Sequence, residues 1–207
     1  MRISNRVLVT SAQVVSLVFS PFYFPVVAFV ILFFFSYMNY MSWFYNLQLI
    51  LMVYCFTVLF PSVGIYLYRK VNGWTRHQLG KRERRLVPYF ISILSYAGLL
   101  VLMNSLRMPK FTMGIIVASL AIQVVCALAN SWIKVSIHAA ASGGFIGCLM
   151  AFSLIFHFDP TLPLCICFLL NGLVGSARLI LRQHRLNDLW LGTFIGILCG
   201  FFGILLI

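Results

Sequence analysis

The chain has 207 residues, of which 62% are hydrophobic and only 9% charged, and its formal net charge is +12. That composition excludes a soluble globular protein, and no soluble domain of useful size fits between the apolar runs. In so apolar a chain the positive excess points to membrane orientation and anionic lipid. No interleaved basic and aromatic module is present, so no nucleic-acid partner is expected.

Met1-Arg2-Ile3-Ser4-Asn5-Arg6 is basic and precedes a long apolar run with no small-residue cleavage site. It reads as the flank of a retained first span, not as a signal peptide. Apolar runs near 14–36, 47–68, 87–106, 112–131, 142–157, 161–177 and 189–206 predict membrane spans. The expected fold is all-α, a polytopic transmembrane bundle of six or seven spans forming one integral membrane domain over 1–207. The fifth and sixth runs are short and meet at His157-Phe158-Asp159-Pro160. A broken hairpin that does not fully cross is the alternative there. The cysteines (Cys55, Cys126, Cys148, Cys165, Cys167 and Cys199) all lie in apolar segments, where a free thiol packs as a small hydrophobe. Cys165 and Cys167 would face different sides of a helix, so neither a metal pair nor a disulfide framework is implied.

Three polar breaks interrupt the apolar pattern. The first, 69–85, carries Arg69, Lys70, Arg76, Lys81, Arg82, Arg84 and Arg85. The second surrounds Lys134 to His138, and the third runs from Arg178 to Asp188. Two spans separate each break from the next, so all three emerge on one side of the bilayer. A re-entrant hairpin leaves that parity unchanged. The opposite side has the loops 37–45 and 107–111 and the Asp159-Pro160 turn, with Arg107 and Lys110 as its basic residues.

The third break carries the sharpest signal. The chain has three acidic residues, Glu83, Asp159 and Asp188. Asp188 stands four residues after His184 and ten after Arg178, and on a helix positions i and i+4 share a face. Asp188 can then accept a hydrogen bond from one ring nitrogen of His184, which fixes the tautomer and leaves the other nitrogen nucleophilic. An oriented imidazole beside Arg178 and Arg182 suits attack on a phosphate. The plain alternative is a basic loop with a fortuitous His-Asp pair. In the second break, Ser136 and backbone amides are candidate phosphate contacts and His138 a candidate proton donor to a leaving oxygen. Gly143 and Gly144 suit close helix packing. The plain alternative is an interfacial turn with a snorkelling Lys134. In the first break, Lys81, Arg82 and Arg85 form a candidate phosphate clamp before Pro88, which fits a first helical turn. The plain alternative is a basic cytoplasmic flank. Glu83 would orient a neighbouring arginine. His77 and His157 have no acidic partner at such spacing and are assigned no role.

Together the three elements resemble the type 2 phosphatidic acid phosphatase superfamily, membrane relatives of the vanadium haloperoxidases. The family pattern is a Lys-to-Arg-Pro element, then Pro-Ser-Gly-His, then Ser-Arg-x5-His-x3-Asp. Arg178, His184 and Asp188 stand at the expected spacing of the third, with Ala177 in place of serine. Val135-Ser136-Ile137-His138 matches the second in part. Lys81 to Pro88 matches the first loosely, with Val87 where the family has arginine. The resemblance runs from about Lys81 to Ile207. It implies hydrolysis of a lipid phosphate monoester or diphosphate in a membrane. His184 would attack phosphorus to form a phosphohistidine, Asp188 would orient it, and His138 would protonate the leaving group. Lys81, Arg82, Arg85 and Arg178 would neutralise the phosphate oxygens.

Three scattered acids supply no carboxylate cluster for magnesium, so the expected chemistry is metal-independent and uses no cofactor. Two alternatives remain: phosphoryl transfer to a lipid alcohol on the same scaffold, and a non-catalytic membrane scaffold that binds anionic lipid. Thirteen basic residues outside the spans share the side of the three breaks, against two on the other. The positive-inside tendency then expects the site on the cytoplasmic face of a bacterial inner membrane. The lipid itself, and the oligomeric state, stay open.

Overall fold

The computed structural model describes residues 2–35, 42–73 and 86–207, and all of its regular structure is helical. In chain order the elements are α1 (Arg2–Val18), α2 (Phe24–Phe35), α3 (Trp43–Tyr54), a π-helical segment (Cys55–Leu59), α4 (Phe60–Val71), α5 (Leu86–Ser105), α6 (Lys110–Trp132), α7 (Ile137–Phe156), α8 (Thr161–Ile180) and α9 (Leu186–Leu205). The segment from α3 through α4 runs as one helix, Trp43–Val71. With α5 to α9 it makes six helices long and apolar enough to cross a membrane. A 20-residue helix is about 30 Å long, the thickness of a bilayer's hydrocarbon core. The protein is an integral membrane protein with an all-α bundle. Large apolar side chains such as Phe90, Leu94, Leu162, Leu169 and Phe194 face outward, as lipid contact requires. Trp43, Trp132 and Trp190, all exposed, sit at helix ends, where indole rings favour the membrane boundary.

Two expectations about the spans need correction. The run 14–36 is not one span. It breaks between α1 and α2 at residues 19–23, because Pro21 offers no N–H and excludes the residue before it from helical geometry. At 12 residues, α2 is about 18 Å long and too short to cross. The fifth and sixth runs, by contrast, are two full helices. α7 begins at Ile137, five residues before the expected start, and α7 and α8 have 20 residues each. The alternative of a broken hairpin falls. Asp159 accepts hydrogen bonds from the Thr161 N–H at 3.0 Å and the Thr161 hydroxyl at 2.6 Å, which fixes the start of α8 and holds its carboxyl below the usual range.

The π-helical segment follows from Pro61. A proline inside a helix removes one donor from the ladder. Here the Phe60 N–H shifts to the Cys55 carbonyl, and the released Phe56 carbonyl accepts from the Ser95 hydroxyl of α5. A hydroxyl on a neighbouring helix is a standard way to satisfy a freed carbonyl in lipid.

Two kinds of packing hold the bundle. Away from the polar breaks, Phe29, Phe33, Val53, Tyr96, Leu99, Met103 and Ile116 form an apolar core joining α2, α3, α5 and α6. Toward the polar breaks, α7 and α9 run parallel and touch backbone to backbone. Gly192 lies against the Ser136 carbonyl, Gly196 against that of Ala140, and Gly200 against that of Gly144. Gly143 and Gly147 return the contact against Thr193 and Ile197. Small residues every fourth position let membrane helices approach in this way, gaining dispersion energy where no hydrophobic drive exists between apolar surfaces in lipid. The expected packing role of Gly143 and Gly144 is met, and α9 supplies the larger half of the interface.

A Cβ at Gly196 would overlap the Ala140 backbone, whereas one at Gly172 meets nothing within 4 Å. Gly196→Val should cost about 2–3 kcal/mol or more through overpacking. Gly172→Ala should be neutral or gain up to about 1 kcal/mol of helix propensity. Thermal unfolding of the two variants in detergent checks this. Equal melting temperatures would show that the contact does not hold the bundle.

Candidate functional site

The α8–α9 turn is built around a left-handed arginine. α8 closes with the Gln183 N–H on the Arg178 carbonyl at 3.2 Å and the Arg182 N–H on the Leu179 carbonyl at 2.9 Å. This is a Schellman arrangement, with Arg182 at φ 51° in the position usually held by glycine. The chain turns sharply enough that His184 lands inside the bundle, buried, just before Arg185, the N-cap of α9.

His184 and Asp188 meet, but not as expected. His184 is outside α9, and the pair does not share a helical face. Asp188 is in the first turn of α9 and its carboxylate folds back. Oδ2 accepts from the Arg185 N–H at 3.0 Å and lies 3.4 Å from His184 Nδ1. The shorter backbone bond holds the carboxylate, and the carboxylate faces the ring. The α9 N-terminus adds a favourable dipole for its negative charge. The geometry turns Nδ1 of His184 toward the Asp188 carboxylate.

The second element is fastened to this turn. Lys134 Nζ donates to the Gln183 carbonyl at 2.7 Å, and the Ser136 N–H donates to the Asp188 carbonyl at 3.2 Å. Ser136 is fully buried, and its hydroxyl accepts from the Ala139 N–H at 3.4 Å as the N-cap of α7. This gives the expected phosphate contact a structural task and takes its side chain away from any open space. His138 lies in the first turn of α7 and is half-buried. Its Nδ1 has no hydrogen-bond partner among the described residues. Arg178 and His184 act on its ring electrostatically, and the ring reaches the Ser16 backbone. Arg178 in turn donates from a terminal guanidinium nitrogen to the Ser16 hydroxyl at 2.8 Å.

His138, Arg178, His184 and Asp188 are thus brought together at one end of the bundle. The clamp residues Lys81, Arg82 and Arg85, together with Glu83 and His77, lie outside the described residues. His157 caps α7 at the opposite end in a left-handed conformation. The cysteines are free, with Cys165 exposed and Cys167 buried, as two helix faces require. Among the described residues no three or more His, Cys, Asp and Glu side chains are grouped to hold a metal ion.

Three features escaped the sequence reading. Ser16 joins the site from α1, 162 positions before Arg178. One turn below His138, Ser142 donates to Asn171 Oδ1 at 3.0 Å, and Asn171 also pairs with Thr193 at 3.4 Å, tying α7, α8 and α9 together. The third is the stripe Gly192, Gly196 and Gly200, whose four-residue spacing was visible.

A non-glycine residue in left-handed geometry costs about 1–2 kcal/mol. Arg182→Gly should therefore raise stability by about 1 kcal/mol in thermal or denaturant unfolding. A loss of stability would assign the Arg182 side chain a bonding task that outweighs the strain.

Comparison of the chain with protein-family models, with curated proteins and with solved structures gives no significant match.

Proposed function

We propose that the protein is a membrane lipid phosphatase working through a phosphohistidine. The observation that carries this reading is the buried His184 held against Asp188, with Arg178 and His138 within electrostatic reach at the same end of the bundle. The reaction is phosphoryl transfer in two steps. His184 Nε2 attacks phosphorus, the bond from phosphorus to the lipid oxygen breaks, and protonated His138 gives that oxygen its proton. Water then attacks the phosphohistidine, His138 takes a proton from it, the phosphorus–nitrogen bond breaks, and phosphate leaves. Arg178 neutralises charge on the phosphoryl oxygens, and Asp188 balances the imidazolium. Lys81, Arg82 and Arg85 complete the cationic surround on this reading. Membership of the type 2 phosphatidic acid phosphatase superfamily is part of the same proposal and rests on the three sequence elements.

The parity of the polar breaks supports one reaction side, and the basic excess on it favours the cytoplasmic face of a bacterial inner membrane. Helix alternation supports the parity. The α6–α7 and α8–α9 links bond to each other, while the α5–α6 turn reaches α3 through Tyr45 and Met108.

The test is phosphate release from lipid phosphates by the purified chain in excess chelator. His184→Ala should abolish release while the detergent-solubilised protein keeps its elution profile. Asp188→Asn should lower kcat by about a thousandfold or more, as loss of tautomer control does in other histidine–aspartate pairs. Unchanged turnover in folded His184→Ala would overturn the assignment. Activity that vanishes with chelator and returns with magnesium would overturn the metal-independent mechanism.

A further inference from the structure

Ser16 of α1 meets two members of the site at once. Its hydroxyl accepts from a terminal guanidinium nitrogen of Arg178 at 2.8 Å, and the His138 ring reaches its main chain. The residue is half-buried in a helix that packs against α8.

The local chemistry of α1 explains why both of its oxygens are available. Thr10 and Ser11 turn their hydroxyls onto the helix's own carbonyls, those of Arg6 and Leu8, each at 2.9 Å. Such back-bonding is the ordinary use of a hydroxyl inside a helix. Ser16 turns its hydroxyl onto α8 instead. Its carbonyl is open for a different reason. The Phe19 N–H bonds the Val15 carbonyl and the Ser20 N–H bonds the Leu17 carbonyl, so neither returns to Ser16. Pro21 follows with no N–H to give. The Ser16 carbonyl is therefore among the open acceptors at the C-terminal end of α1, where partial negative charge favours a cation or a ring N–H. The proline that breaks the first apolar run thus turns the end of α1 into an acceptor for the site.

A guanidinium is planar, so a bond held at one terminal nitrogen sets the plane and aim of its other N–H groups. The α8 backbone fixes only where the Arg178 side chain begins. An acceptor on a neighbouring helix fixes where it ends. We infer that Ser16 is a positioning residue for phosphoryl transfer, holding the Arg178 guanidinium toward the phosphoryl oxygens and the His138 ring toward the leaving oxygen. The inference rests on the phosphatase reading above. It gives α1, which is not one of the six long spans, a task in the reaction. Without the hydroxyl, the guanidinium would sample other rotamers and lose its aim, in the substrate complex and in the complex with product phosphate alike.

The experiment measures phosphate release by the purified full chain from dioleoyl phosphatidate and from farnesyl diphosphate in mixed micelles, together with the inhibition constant of inorganic phosphate. Ser16→Ala should lower kcat/KM by about tenfold and raise the inhibition constant about fivefold, the scale of one hydrogen bond to a charged group. Its melting temperature and elution profile should match the wild type. Ser16→Thr, which restores the hydroxyl, should bring both constants back to within about threefold of wild type. If Ser16→Ala loses the wild-type elution profile, Ser16→Cys takes its place with the same expectations, since it keeps the size and offers only a weak acceptor. A smaller folded fraction would lower the rate and leave the inhibition constant where it was, so that outcome assigns Ser16 to packing and overturns the inference. A lower inhibition constant would mean that Ser16 competes with phosphate for Arg178, and overturns it too. So does failure of Ser16→Thr to restore both constants, or a folded Ser16→Ala that behaves as wild type; each leaves the phosphatase reading standing. Phosphate from neither lipid in the wild type overturns the phosphatase reading, and the role of Ser16 with it.

Discussion

The parallel contact between α7 and α9 is the constraint on which the rest of the site depends. Two membrane helices gain little from burying apolar surface against each other, because lipid is as apolar as they are. They gain from close approach, and the glycines of α9 lying on the carbonyls of α7 give an approach no side chain would allow. α7 carries His138 in its first turn and α9 carries Asp188 in its own. Parallel packing therefore sets these two first turns side by side, and α8 is the return that parallel neighbours require. Its C-terminal turn then brings Arg178 and His184 to the same end. The Ser136 N–H bonded to the Asp188 carbonyl is the point at which the two helix starts are joined.

The polar groups near that end form a graded series. Asn171, Ser142 and Thr193 are satisfied by one another within the helices. Above them, His138, Arg178, His184 and Asp188 are grouped at the end of the bundle. A set of ionisable side chains at a membrane boundary is costly to build, and on the proposed reading the cost is met by the substrate's own negative charge. α1 belongs to this series. It is amphipathic, packs against α8, and reaches Arg178 and His138 through one residue, Ser16.

Much of the fold was legible because the bilayer imposes a length on each apolar run, and six of the seven expected spans contain long helices. The first run failed where Pro21 stood in plain view, since total apolarity concealed a local backbone break. Pro61 likewise signalled the π-helical segment, although which carbonyl it would free and that Ser95 would take it depend on tertiary packing. The His184–Asp188 pair was found for an imperfect reason. The spacing of four suggested a shared helical face, whereas the contact comes from a capping turn that bends Asp188 back over Arg185. Ser136 read as a candidate phosphate contact, and its hydroxyl is the N-cap acceptor of α7. Ser16 carried no one-dimensional signal, because an ordinary serine in an amphipathic helix acquires its meaning only from a guanidinium far along the chain.

The central claim is that His184 becomes covalently phosphorylated. Rapid acid-free quenching of the purified chain during turnover of a radiolabelled lipid phosphate, followed by peptide mapping, tests it most directly. The account predicts label on His184, stable to base and lost in acid, and none in His184→Ala. Sustained turnover with no label on His184 would contradict it.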